Sequence, residues 1–251
     1  MFNLTFTGIG SAFNPTLYNT SCYYKEGNKL LLIDCGSDTY RRLCESNVLD
    51  GITDIYVCIT HTHQDHIGSL GTLIADCSIV NNRNITLVLD PDKEYRNQIF
   101  TTLLYAGVKK DIDYKVRKDL KHVFDAIDNV TFYNVSHCDS LISKAYIFYL
   151  SSHEIIIYSG DSNDIEKVLD MCHDLGYYKF KQAYIDCNLD KISKYKNSKP
   201  HELLAELIKA IPNDKRHLFT VIHYDSNKCR TIAKRNGFNV AYHFTEFEYY
   251  I

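Results

Sequence analysis

Residues 55–68 read Ile55-Tyr56-Val57-Cys58-Ile59-Thr60-His61-Thr62-His63-Gln64-Asp65-His66-Ile67-Gly68. The first six form a short apolar, β-branched run of strand length. Three imidazoles and one carboxylate follow within six residues. Such groups are costly to bury unpaired and have little reason to crowd together on a surface. At this chain's own His and Asp frequencies, H-x-H-x-D-H arises by chance in roughly two of a thousand chains of this length. A metal centre accounts for it. Neutral imidazole and carboxylate oxygen both ligate zinc, and a strand-to-helix turn can point alternate side chains toward two adjacent ions.

A centre of this kind needs further ligands, which should emerge at the ends of other strands. Strand-like runs occur at 2–7, 29–34, 86–90, 130–135, 145–150, 154–158, 183–186 and 218–222 as well as at 55–60. Helical spacing fills the intervals. In 163–174, Ile165, Val168, Leu169 and Cys172 share one helix face, with Asp164 available as a cap. In 200–211, Leu203, Leu204, Leu207, Ile208 and Ile211 form a stripe, and Pro200 suits a first helical turn. The alternation defines an α/β class with largely buried sheets. With four prolines, eleven glycines and no linker-like cluster or repeat, residues 1–251 are expected to form one domain.

Composition excludes several functions. The 28 basic and 31 acidic side chains leave a net charge of −3, so there is no general electrostatic attraction to nucleic acid. No apolar run approaches the roughly 18–20 residues that span a bilayer, and the N-terminus lacks the basic flank of a secretory signal. Nine cysteines, an odd number without any C-x-x-C pair, read as reduced thiols in or near a core, which implies a reducing, cytoplasmic setting.

Three residues just past apolar runs are candidate ligands: His137, Asp161 and His223. Taken alone, each has an ordinary alternative. His137 or His223 fits a hydrogen-bonded loop histidine, and Asp161 in Ser159-Gly160-Asp161-Ser162 fits a turn or cap.

A resemblance decides between these readings. Gly8-Ile9-Gly10-Ser11-Ala12-Phe13-Asn14-Pro15-Thr16, Asn19-Thr20-Ser21, Leu31-Leu32-Ile33-Asp34-Cys35-Gly36 and the His61 motif resemble, in order, the opening of the metallo-β-lactamase superfamily in its ribonuclease Z-like branch. Ser136-His137, Tyr158-Ser159-Gly160-Asp161 and Ile222-His223 match the later stations, so the resemblance spans nearly the whole chain. It implies a four-layer αββα sandwich with a two-metal site at the common edge of its sheets. Carried over by residue, His61, His63 and His137 would hold one zinc and Asp65, His66 and His223 the other, with Asp161 bridging and manganese the alternative metal. No cysteine occupies the bridging position, unlike lactamases with a Cys ligand. Paired cations lower the pKa of water and bind both the attacking and leaving oxygens of a phosphodiester. His201, in Lys199-Pro200-His201-Glu202, resembles the extra histidine that such enzymes place against the phosphate to aid the leaving group; otherwise it is an ordinary first-turn residue.

The substrate follows from what is missing. Arm-bearing tRNA-processing members insert the arm between the third and fourth metal stations, but His137 and Asp161 stand only 24 residues apart, nearly filled by two strands. A small phosphodiester is therefore expected. Among compact members the chain most resembles the phage and bacterial anti-Pycsar proteins, which open 3′,5′-cyclic nucleotides to nucleoside 5′-monophosphates and disarm a cyclic-pyrimidine immune signal. That resemblance implies Asp65 and His201 as catalytic groups and a homodimer. Tyr114, in the basic stretch 107–118, is a candidate for stacking on a base or else part of a solvated loop. A precursor-tRNA endonuclease, a lactone or thioester hydrolase and a non-catalytic nucleotide-sequestering zinc protein remain the alternatives.

Overall fold

The computed structural model describes residues 2–173, 178–189 and 200–244. In chain order its elements are β1 (Thr5–Gly8), β2 (Ser21–Glu26), β3 (Lys29–Ile33), α1 (Thr39–Glu45), β4 (Asp54–Cys58), α2 (Gln64–Ile67), α3 (Leu70–Ala75), β5 (Asn84–Val88), α4 (Lys93–Tyr105), β6 (Lys115–Arg117), β7 (Ile127–Val135), β8 (Ser143–Leu150), β9 (Glu154–Tyr158), α5 (Ile165–His173), β10 (Lys179–Asp186), α6 (Leu204–Ala210), β11 (Phe219–Ile222), α7 (Asn227–Arg235) and β12 (Asn239–Val240). They build two six-stranded sheets, ordered β1-β2-β3-β4-β5-β6 and β12-β11-β10-β9-β8-β7. Each is mixed: β3 to β6 and β9 to β12 run parallel, while β1-β2-β3 and β7-β8-β9 are antiparallel.

The period-2 alternation of a strand explains the layering. On β3, Leu31 and Ile33 face a core shared with the second sheet, where Phe148, Ile157 and Ile185 meet them, while Leu30 and Leu32 face a separate core. That outer core is closed by Leu43 of α1, Leu70, Leu73 and Ile74 of α3, and Tyr95, Ile99 and Leu103 of α4. Both faces of the strand are dry, so it reads as an unbroken apolar run. Val168 of α5, Leu204 and Leu207 of α6, and Cys229 and Ala233 of α7 pack onto the second sheet. The result is the αββα sandwich.

All nine expected strands are present, and β2, β6 and β12 add to them. Asp164 caps α5 as expected, its Oδ1 accepting from Lys167 N at 3.1 Å, while Asp174 lies outside the described residues. Two expectations are corrected. Pro200 does not open a helix: Leu203 is extended and bridges to Asn188, so α6 starts at Leu204. Tyr114 is no surface aromatic, since it is 3% exposed in the outer core, which rules out stacking on a substrate. All nine cysteines are free thiols; six are buried, Cys138 and Cys172 are half-buried and Cys44 is exposed. Among the described residues no helix is long and apolar enough to cross a membrane.

One packing feature titrates. Glu202 is buried, and its Oε2 accepts from Ile165 N at 3.1 Å at the start of α5. Burial, with the neighbouring Glu206 carboxyl, pushes its pKa up to about 7. The folded protein then keeps a proton that the unfolded chain releases near the ordinary glutamate value, so stability falls as pH rises from about 4.5 to 7. Glu202→Gln, which preserves the acceptor, should raise unfolding stability at pH 8 by about 1–3 kcal/mol and leave it nearly unchanged at pH 4. Urea denaturation at the two pH values reads this, and an equal effect at both would contradict it.

Candidate metal centre

The expected ligands converge from the ends of strands in both sheets. His61 and His63 follow β4, and Asp65 and His66 lie in α2. His137 follows β7, Asp161 follows β9, and His223 follows β11. Their ligand atoms form two sets, His61/His63/His137/Asp161 and Asp65/His66/Asp161/His223, within each of which all atoms lie within 4.8 Å. Asp161 belongs to both by turning one oxygen to each. Its Oδ2 is 3.9 Å from His61 Nε2 and 3.6 Å from His137 Nε2, while Oδ1 is 3.2 Å from His66 Nε2 and 3.4 Å from His223 Nε2. Asp65 Oδ2 completes the second set at 3.4 Å from His66 Nε2 and 3.2 Å from His223 Nε2.

These donors fit cations. In the first set, His63 Nδ1 is 2.8 Å from His61 Nε2 and 3.1 Å from His137 Nε2, spacings expected of imidazoles turned on one small ion. Burial drives the pKa of all three below the ordinary imidazole range, keeping their lone pairs free. In the second set, His66 Nε2 is buried without an aligned hydrogen bond despite its close carboxylates. Burial opposes charge on His66 and His223, but Asp161 and the other carboxylates around them outweigh it and raise both. The same attraction overcomes burial at Asp65 and Asp161 and holds both well below the usual carboxylate range. A cation entering the second set displaces protons, so affinity there weakens as pH falls.

Backbone geometry serves the cluster. Asp34 and His223, each one residue past a strand, adopt φ of 62° and 60°, a left-handed conformation that non-glycine residues seldom occupy outside constrained sites. Gly36 is compulsory because a Cβ there would fall 2.1 Å from the Asp65 carbonyl oxygen. Two sheet-bridging contacts brace the same edge: Lys144 N donates to Thr60 O at 3.0 Å, and the Tyr146 hydroxyl donates to Ile59 O, which also accepts from the Tyr95 hydroxyl of α4.

Two carboxylates of this site are additional to the sequence-derived set. Buried Asp34 accepts from His66 Nδ1 at 2.8 Å and from Thr60 N at 2.7 Å, which turns His66 Nε2 toward the centre. Asp186 accepts from His201 Nδ1 at 2.7 Å and lies 3.4 Å from His223 Nδ1. Both stand at the C-terminal end of an apolar strand, the same signal that picked out Asp161. Asp34→Asn should weaken metal binding at the second set about 10- to 100-fold by loosening the His66 orientation, with the first set unaffected. Chelator competition on the two sites would detect this, and unchanged affinity would refute it.

His201 reaches the cluster by a route other than the one expected. It precedes α6 instead of lying in its first turn. Burial opposes its charge, but Asp186 and then Asp161 overcome this and raise its pKa. Its ring lies 5.1 Å from that of His137 and stacks at 5.0 Å on His223. Its neighbour Pro200 supplies the carbonyl that accepts from His137 Nδ1 at 2.5 Å. Lys199, read with it in the sequence, lies outside the described residues.

Two packed mixed sheets with a His/Asp cluster gathered from their strand ends define a protein of the metallo-β-lactamase fold. The solved structures agree in fold: the metallo-β-lactamase fold protein YhfI from Bacillus subtilis superposes with a TM-score of 0.68 at 16% identity, covering 95% of this chain and 94% of that one. Human tRNase Z, short form, gives 0.64 at 20% identity, covering 96% of each. The family model described as Anti-Pycsar protein Apyc1 matches residues 2–246, and the chain belongs to that family. It is 26% identical over 237 residues to the Anti-Pycsar protein Apyc1 of Bacillus phage BSP38, covering 88% of each chain.

Proposed function

We propose that this protein is a dinuclear zinc phosphodiesterase that hydrolyses 3′,5′-cyclic nucleotides, cyclic CMP and UMP foremost and cyclic AMP and GMP as well, to nucleoside 5′-monophosphates. The observation that carries the reading is Asp161, which offers one carboxylate oxygen to each of two complete donor sets. His61, His63 and His137 would hold one ion and Asp65, His66 and His223 the other. Such ions supply Lewis-acid polarisation of the phosphoryl group and a lowered pKa for water. Manganese is the alternative occupant.

The chain's own residues do the rest. Asp34 and Asp186 fix imidazole orientations, and His201, whose pKa Asp186 raises, offers its remaining nitrogen to the phosphate and then, as proton donor, to the departing 3′ oxygen. Water attacks phosphorus opposite that oxygen and releases a proton to solvent, the P–O3′ bond breaks, and the 3′ oxygen leaves with the proton given by His201, which is then restored from solvent. The β8–β9 hairpin, turned by Ser151, Ser152 and His153, leaves no length for a tRNA-gripping arm, which favours a small substrate. Membership in a family of anti-Pycsar proteins supports a role in evading cyclic-nucleotide antiphage immunity. The free thiols suit a host cytoplasm, and the resemblance to dimeric members of this branch implies a homodimer.

Zinc-loaded protein and its Asp65→Ala variant, incubated with cyclic CMP, UMP, AMP and GMP and with a precursor tRNA, test the reading. Conversion to 5′-monophosphates that disappears in the variant is the expected outcome. Cleavage of tRNA alone would restore the endonuclease alternative. Substrate recovered intact throughout would favour sequestration or carbonyl chemistry.

A further inference from the structure

Phe13, between β1 and β2, is 92% exposed, the highest value among the large apolar side chains of the described residues. The residues flanking it are nonetheless tied down. Asn14 N donates to Ser11 O at 3.0 Å, and Asn14 Oδ1 accepts from Thr16 N and Thr16 Oγ1 at 3.2 and 2.8 Å. Ser11 N donates to Tyr224 O at 3.0 Å and Asn14 Nδ2 to Asp225 O at 3.1 Å, fastening the segment to the two residues after His223. An apolar ring displayed on a braced segment is placed to meet something outside the protein.

What it meets is indicated by the space beside it. Phe13, Pro15, Asn19, Ser37, Asp38 and Arg41 line a hollow of about 550 Å³, in the range of small-molecule sites. Its floor rests on the other ligand-bearing segment: Ser37 Oγ donates to Gln64 O at 3.0 Å, and Gly36 packs between Asn19 and the Asp65 carbonyl. Two lining residues of the hollow are thus hydrogen-bonded to Gln64, one residue before Asp65, and to Asp225, two residues after His223, on either side of one donor set.

We propose that this hollow receives the nucleobase of the substrate and that the Phe13 ring stacks on it, an inference that rests on the phosphodiesterase reading. Stacking requires only a π-face, so it supplies affinity with little choice among bases. The charged side chains on the wall of the hollow are Asp38, whose carboxylate accepts from Asn19 N at 3.1 Å, and Arg41, whose Nε is 3.5 Å from Glu45 Oε1. Because the exposed ring supports no core, its removal should leave the melting temperature unchanged.

The test compares zinc-loaded wild type, Phe13→Ala and Phe13→Trp on cyclic CMP, cyclic AMP and the base-free 1-deoxyribose 3′,5′-cyclic phosphate. Phe13→Ala should raise KM for both nucleotides roughly 10- to 100-fold with kcat little changed, leave the base-free substrate unaffected, and be rescued by Phe13→Trp. An unaltered KM for the nucleotides overturns the stack, as does an equal loss on the base-free compound. A wild type that turns over the base-free compound but no nucleotide overturns the base site alone, and one that cleaves neither overturns the phosphodiesterase reading beneath it.

Discussion

Asp161→Ala should lose metal from both sets at once and lower kcat/KM by at least about 10³-fold. The size of the effect follows from the position of the carboxylate. Oδ1 faces His66 and His223 while Oδ2 faces His61 and His137, so a single truncation removes a donor from each set and the negative charge that would lie between the two proposed cations. Water cannot replace that charge, and two ions of like sign held close together repel strongly in a site where every donor except His63 is buried. His63→Ala provides the contrast. It is half-exposed and touches only the first set, so it should lose one ion and keep the second. Elemental analysis of dialysed protein should give two ions per chain for the wild type, about one for His63→Ala, and well under one for Asp161→Ala. Two ions retained by Asp161→Ala would remove the bridging role and with it the main support for a paired site.

Much of this centre was legible because its information is local. His61, His63, Asp65 and His66 lie within six residues, at a strand end that any reading of the apolar run locates. His137, Asp161 and His223 are legible only weakly in isolation, since a lone histidine after a strand has many uses; the ordered resemblance brings them in. Asp34 and Asp186 carry the same strand-end signal yet bind no ion in the predicted set. Their task depends on which ring nitrogen faces them, and that is fixed by the approach of β3 to α2 and of β10 to the segment at His201.

The fold shows a similar division. Strands dry on both faces, such as β3 and β4, announce themselves as apolar runs. β6 and β12, three and two residues long, fall below the length at which alternation can be recognised, and β2 carries polar residues on its outward face. Tertiary contacts override local preference where Leu203 pairs with Asn188 and delays α6, and where Tyr114 folds inward from a charged stretch into the outer core that Val108 also joins. Local charge density describes a segment's surroundings in sequence, whereas burial of one ring is decided by what the rest of the chain lays over it.

His201→Ala should leave metal content intact while lowering kcat on cyclic nucleotides about 10²- to 10⁴-fold, the usual reach of a positioned proton donor. Its Nδ1 is committed to Asp186 at 2.7 Å, leaving the other ring nitrogen for the substrate. Asp186 and then Asp161 also raise the pKa of the ring against its burial. The sign of the pH dependence follows. An acid works only while it holds its proton, so kcat/KM should decline as pH rises through the raised pKa of His201. Asp186→Asn withdraws the largest support for that proton and should move the alkaline limb to lower pH. A leaving-group comparison separates proton donation from placement. The 3′ oxygen of a nucleotide is a poor leaving group without a proton, whereas p-nitrophenolate departs readily without one. If His201 donates, the penalty of His201→Ala should shrink by an order of magnitude or more on bis(p-nitrophenyl) phosphate. A penalty of the same size on both substrates would mean that His201 positions the phosphate and that the proton comes from elsewhere.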